Sequence, residues 1–152
     1  MNETLNLGWR EWCALPDLGI PAIKAKIDTG AKTSALHAFK IEPFEADGRA
    51  MLRFWVHPVQ KNDQFELECV AAVKEQRVVS DSGGHKEIRY VIETEVVIGD
   101  KRWPIEMSLT NRDTMRFRML LGRRAMKDFA RVDPSASYLN GRLKALSIYG
   151  IK

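Results

Sequence analysis

The stretch Ala25-Lys26-Ile27-Asp28-Thr29-Gly30-Ala31-Lys32-Thr33-Ser34-Ala35-Leu36 decides how the rest of the chain is read. Ile23, Ala25 and Ile27 alternate with Lys24 and Lys26, the period of a strand with one buried face. That strand ends at an acid and then meets Thr, Gly and further small or hydroxylated residues, which predicts a tight turn presenting Asp28 at a strand end. Gly30 lets the backbone approach closely and take a conformation that costs other residues more. The Thr29 side chain is stiff at χ1, so its hydroxyl donates or accepts at a fixed position.

The same two-residue period recurs outward from this stretch. Phe65, Leu67 and Cys69 alternate with Glu66 and Glu68, Trp103, Ile105, Met107 and Leu109 repeat the pattern, and so do Met115, Phe117, Met119 and Leu121. Met51 to Val56 and Ile88 to Ile98 add β-branched and aromatic residues. Turn residues separate the runs at Pro16-Asp17-Leu18-Gly19, Asp47-Gly48, Lys61-Asn62-Asp63, Ser82-Gly83-Gly84 and Gly99-Asp100. Strands at this spacing predict an all-β sandwich or barrel, closed or nearly so. One stretch reads as helical, Arg123 to Phe129, with Ala125, Met126 and Phe129 on its inner side.

The length of 152 residues predicts one domain over 1–152. No run of 18 apolar residues is present and the first residues lack a secretory pattern, so the expectation is a soluble, cytoplasmic protein with no membrane partner. Cys13 and Cys69 are too few for a disulfide framework. Lys and Arg number 24 against 20 Asp and Glu, a mild excess. Arg112, Arg116, Arg118, Arg123 and Arg124 gather in the second half. Such a cluster is a nucleic-acid surface, a solvated face or an attractor for an acidic peptide; no nucleic-acid partner is expected.

Met119-Leu120-Leu121-Gly122-Arg123 follows the Asp28 turn by about 90 residues, an apolar strand breaking at Gly-Arg into the helical stretch. Together, in this order, the two segments resemble the retropepsin-like aspartic peptidases. Asp28 to Ala38 looks like the bacterial and archaeal branch labelled ATP-dependent zinc protease, whose members are associated with ATP-grasp glutamate ligases. Phe129-Ala130-Arg131-Val132-Asp133-Pro134 also suits that branch, and the resemblance spans a core of about 11–139. It implies a closed acid-protease barrel of the six-stranded type with one short C-terminal helix.

The resemblance implies Asp28, Thr29 and Gly30 as the catalytic turn. Ala31 and Lys32 would lie beside a bound peptide, and Leu121, Gly122 and Arg123 form the structural motif. An aspartic peptidase needs two carboxylates sharing one proton, and the next candidate, Asp113-Thr114-Met115, lacks the glycine. The expectation is therefore a homodimer, each copy contributing one Asp28, with Thr29 bonding across the twofold axis. The hairpin Val78 to Lys86, with Ser82, Gly83 and Gly84 at its tip, is either a mobile flap over the cleft or a plain exposed loop. Retropepsins usually carry an acid where this chain has Lys32, so Arg123 needs another partner, Asp128 or Asp113. Lys32, Arg116, Arg118 and Arg124 would favour an acidic peptide or protein substrate.

Other chemistries find less support. His37, His57 and His85 are widely spread, and Asp28 with His37 is the one conceivable start of a zinc site, so no metal and no cofactor are expected. Ser34, Ser80 and Ser82 lack a nucleophile-elbow context, and no phosphate loop gives a basis for ATP dependence. The alternatives to an aspartic peptidase are a non-catalytic peptide-binding or regulatory module partnering an ATP-grasp ligase, and a zinc-dependent peptidase.

Overall fold

A computed structural model describes residues 4–80, 83–111 and 116–151. Its strands are β1 (Leu5–Leu7), β2 (Arg10–Leu15), β3 (Ile20–Ile27), β4 (Ser34–His37), β5 (Lys40–Ala46), β6 (Arg49–Val56), β7 (Leu67–Ala72), β8 (Glu75–Ser80), β9 (Lys86–Ile98), β10 (Lys101–Thr110), β11 (Met119–Leu121) and β12 (Ala130–Val132). Two short helices, α1 (Arg123–Met126) and α2 (Ala145–Ile148), and a 3-10 turn at Pro16–Leu18 complete the described elements. No helix among the described residues is long and apolar enough to cross a membrane.

The protein is mostly β, as the alternating runs predict. Strands β10, β4, β11, β3, β2, β9 and β8 form one sheet, and a further pairing of β10 with β9 turns six of them into a ring. The seam between β2 and β9 rests on one residue pair, Ala14 with Val97, so the ring is unevenly sewn rather than the regular closed barrel expected. Strands β5, β6 and β7 make a separate antiparallel sheet, and β1 pairs with β12 in parallel. Turn chemistry sets the hairpins: Asp47 (φ 52°) and Gly48 (φ 75°) both take the left-handed conformation that a two-residue connection between twisted strands requires.

The inner faces meet in a core that includes Leu15, Ile23, Leu36, Phe54, Ile92 and Met107, all fully buried. Each such side chain contributes about 1.5–3 kcal/mol by leaving water. Two expectations need correction. The helix after Gly122 ends at Met126, because Lys127 is extended (ψ 139°) and Asp128 is left-handed (φ 80°), which sends the chain into β12. The strand predicted from Met115 is described only over Met119–Leu121, and α2 had no clear apolar period to announce it.

Candidate active site

The Asp28 turn joins β3 to β4, yet these strands do not pair with each other. β11 lies between them, parallel to β3 (Met119 opposite Ala25, Leu121 opposite Ile27) and antiparallel to β4 (Met119 opposite Leu36). The turn is thus clasped by a strand from far along the chain. Asp28 N–H donates to the Leu121 carbonyl at 2.9 Å, Arg123 N–H to Ala31 O at 2.7 Å and Arg124 N–H to Lys32 O at 3.1 Å. Gly122 N–H donates to Ser34 Oγ at 2.9 Å, and Ser108 Oγ donates to Ser34 O at 3.0 Å. Gly122 is required here, since a Cβ would stand 2.6 Å from the Thr33 carbonyl carbon.

Within the turn, Asp28 Oδ1 accepts from Gly30 N–H at 3.0 Å and from Ala31 N–H at 3.2 Å. Gly30 is not left-handed; its value is room, because a Cβ would sit 3.3 Å from that same oxygen. Arg123 finds its partner in a main-chain carbonyl: Nη1 donates to Thr29 O at 3.1 Å. That replaces the expected pairing with Asp128, and Asp113 lies outside the described residues. Leu121 and Gly122 are buried while Arg123 is exposed.

Asp28 opens onto a cleft of about 790 Å³ whose near wall includes Gly30, Ala31, Lys32, Ala35 and Leu120. The opposite wall is the β8–β9 hairpin, through Arg77, Val78, Val79, Ser80 and Arg89. Gly83 and Gly84 sit in the turn beyond β8, outside the lining residues, and Ser82 lies outside the described residues. Among the described residues, the lining carries four cations, Lys32, Arg77, Arg89 and Arg124, and one carboxylate, Asp28.

The two hairpin arginines were missed by sequence reasoning. They stand directly opposite each other across β8 and β9, an arrangement that costs stability unless each charge is answered. Arg89 is buried and bonds Glu87, whose Oε1 also accepts from Thr110 Oγ1 at 3.0 Å. Arg77 bonds Glu75 at 2.6 Å and Glu106 at 3.0 Å, and these two bonds hold its guanidinium further above its ordinary value. Glu106 also takes Lys74 Nζ at 2.8 Å and lies 3.9 Å from Arg124 Nη1. Bonds from Arg77 and then Lys74 pull the Glu106 carboxyl down to about 2. The readable signal was Glu-x-Arg, present as Glu75-Gln76-Arg77 and Glu87-Ile88-Arg89, which puts acid and base on one strand face.

Of the other cations expected to attract an acidic substrate, Lys32 and Arg124 line the cleft, but Arg118 pairs with Asp63 at 2.9 Å and Arg116 lies outside the lining. The residues do not fit a zinc ion: among those described, no three His, Cys, Asp or Glu side chains gather to hold a metal. His37 is buried at the far end of β4, where its N–H reaches Arg118 O, the length of β11 away from Asp28. His57 stacks on Phe39 at 4.1 Å.

A mostly β domain whose Asp-Thr-Gly turn is faced by a hairpin is the class of architecture that the retropepsin resemblance implies, and the strand that clasps the turn is what the structure adds. The chain belongs to the RimB-like family, described as retropepsin-like aspartic endopeptidase RimB, which it matches over residues 6–143. Among curated relatives, it is 48% identical over 144 residues to a probable alpha-L-glutamate ligase of Parasynechococcus marenigrum, covering 95% of this chain and 31% of that one. A protein of the same description from Shewanella pealeana is 44% identical over 149 residues, covering 96% of this chain and 32% of that one. The chain thus spans about a third of the length of these relatives. A crystal structure of a Legionella pneumophila protein of unknown function (DUF785) superposes with a TM-score of 0.73 at 31% identity, covering 90% of this chain and 98% of that one.

Proposed function

We propose that this protein is an aspartic peptidase that hydrolyses peptide bonds in acidic, glutamate-rich segments, acting in the cytoplasm as a twofold homodimer. The observation that carries the reading is Asp28 itself: its Oδ1 is pinned by two main-chain N–H groups in a turn clasped by β11, at the floor of a cleft ringed by four cations. In the dimer the Asp28 carboxylates of the two copies face each other and share one proton, as like charges about 3 Å apart must. The ionised member takes a proton from water, whose oxygen attacks the carbonyl carbon. The protonated member gives its proton to the carbonyl oxygen. On collapse of the tetrahedral species the first Asp28 passes the proton it took from water to the leaving amide nitrogen, and a hydroxyl of the tetrahedral species returns a proton to the second Asp28. Thr29 bonds across the axis, Gly30 and Ala31 flank the peptide, and the β8–β9 hairpin excludes water. The buried free thiols Cys13 and Cys69 suit a reducing compartment.

The charge of the cleft supports an acidic substrate, and the names of the relatives support a connection with glutamate ligation. The decisive experiment incubates the chain with a glutamate-rich peptide and compares Asp28→Asn. Hydrolysis should disappear while sedimentation still gives a dimer; hydrolysis that survives the substitution, or a monomer under active conditions, would end the reading. Added salt should raise KM more than it lowers kcat. The relatives' names also favour a second reading, a binding module that serves a ligase, under which Asp28→Asn leaves the function intact.

A further inference from the structure

The outer face of β2 and β3 carries charges that the proposed reaction leaves unused. Arg10 stands opposite Lys26, and Trp12 opposite Lys24, so one side of the hairpin presents three cations and a tryptophan. Two like charges directly opposite on neighbouring strands destabilise a sheet. Around the Arg77 and Arg89 pair acids offset that cost; here, among the described residues, no acid lies within ion-pair distance of Arg10, Lys24 or Lys26.

Aromatic rings hold Arg10 and Lys24 in place instead, Arg10 Nε also donates to Ser137 Oγ at 3.2 Å, and Lys26 is exposed. The Arg10 guanidinium lies 4.6 Å from the Trp9 ring centre and 4.9 Å from that of Tyr138. Lys24 Nζ lies 5.3 Å from Trp12 and 5.8 Å from Tyr138, and Arg142 stands 4.6 Å from Tyr138. Three cations therefore converge on one ring. Tyr138 is itself left-handed (φ 55°), a conformation costly for a bulky side chain, and strain of this kind is concentrated where a site is being shaped. Because cations occupy the ring faces, the surface offers charge rather than open platforms for stacking bases.

The register connects this face to the cleft. Arg10 pairs with Lys26, Lys26 with Leu120 and Leu120 with Ala35, one row across four adjacent strands. The last two members line the Asp28 cleft. At about 4.8 Å between strands the row is about 14 Å long, the reach of roughly four extended residues.

We propose that the β2–β3 face, with Arg142, is an exosite that binds the part of an acidic polypeptide extending beyond the cleft, so that longer acidic segments are held more tightly. This rests on the peptidase reading for the identity of the ligand but not for its test. Glutamate-only peptides of about four residues, enough to fill the cleft, and of about twelve, enough to cross the row, are titrated by calorimetry into Asp28→Asn protein. The same titrations are run with Lys24→Gln, Lys26→Gln and Arg142→Gln added together. The long peptide should bind roughly tenfold tighter than the short one, the sum of three exposed ion pairs, and the triple substitution should erase that gain. Circular dichroism melting checks that the variant folds; should it not, Lys26→Gln alone, at an exposed position, should remove about a third of the gain in free energy. Equal affinity for the two lengths, a gain that survives the substitutions, or an oligouridylate of equal charge displacing the long peptide would overturn the exosite. The wild-type protein is incubated with the same two peptides. Length-dependent binding by the variant with no hydrolysis by wild type would keep the exosite and end the peptidase reading, and hydrolysis by wild type with no length dependence in binding would do the reverse.

Discussion

On one side of the cleft Asp28 is held by main-chain geometry: two N–H groups on its carboxylate, a threaded strand beneath it and a glycine that tolerates no Cβ. On the other side, Arg77 and Arg89 sit on an exposed hairpin and are held by Glu75, Glu87 and Glu106. The first wall is positioned by covalent connectivity and by hydrogen bonds that each involve a main-chain group. The second is positioned by charge, in partly wet surroundings where salt screens and protons compete. On the proposed reading, chemistry that demands fixed geometry stands on the first wall, and recognition that can be tuned stands on the second.

Substitutions should separate these walls by size of effect. Asp28→Asn should lower kcat/KM at least about a thousandfold, the range expected when an acid–base group is removed, with the melting temperature retained; steady-state kinetics and calorimetry check the two halves. Gly122→Ala forces a methyl against the Thr33 backbone and should cost about 3 kcal/mol in urea unfolding, the upper end for overpacking, because backbone yields less readily than a side chain. A cost below about 0.5 kcal/mol would show the clasp to be loose.

On the charged wall the effects should be smaller and of a different kind. Glu106→Gln leaves Arg77 with Glu75 alone and Lys74 with Glu93 alone, and by loosening the guanidinium's placement should raise KM for a glutamate-rich peptide about fivefold while kcat changes less than twofold, as for loss of one partly exposed charge-pair network. An equal fall in kcat would move Glu106 to the first wall. The smallest effect concerns acid. The Glu106 carboxyl lies at about 2 in the folded protein against 4.5 ordinarily, so its stabilisation is complete above pH 4.5 and disappears as pH falls through about 2. Wild type should melt about 2–4 °C above Glu106→Gln at pH 7, and the two curves should converge between pH 4.5 and 2.

The first wall was legible because it is local. Alternation from Ile23 to Ile27, an acid at the strand end and Thr29-Gly30 after it specify a turn without reference to anything distant. Leu121-Gly122-Arg123 was legible as a strand running into a helix, but not as the strand that threads between β3 and β4. Register between segments so far apart leaves no periodic trace. The same limit explains Arg123, whose acceptor is a main-chain carbonyl and so has no residue type to search for. Arg77 and Arg89 were missed because a strand face gains its meaning from what lies across the cleft. The helix length failed because left-handed Asp128 is unexceptional by residue type, and the strand it leads into, β12, pairs with β1 at the far end of the sequence.

The threading of β11 also bears on how the molecule is born. Thr29 and the arginine that grips its carbonyl are 94 positions apart, so a ribosome that has emitted the turn bearing Asp28 has not yet emitted what locks it. Until that late segment arrives, β3 and β4 lack the neighbour that both of them need. The nascent chain therefore carries its acid unassembled until β11 and Arg123 have been made, and contacts so distant in sequence make that docking slow. On the peptidase reading, the growing chain meets no assembled Asp28 site of its own.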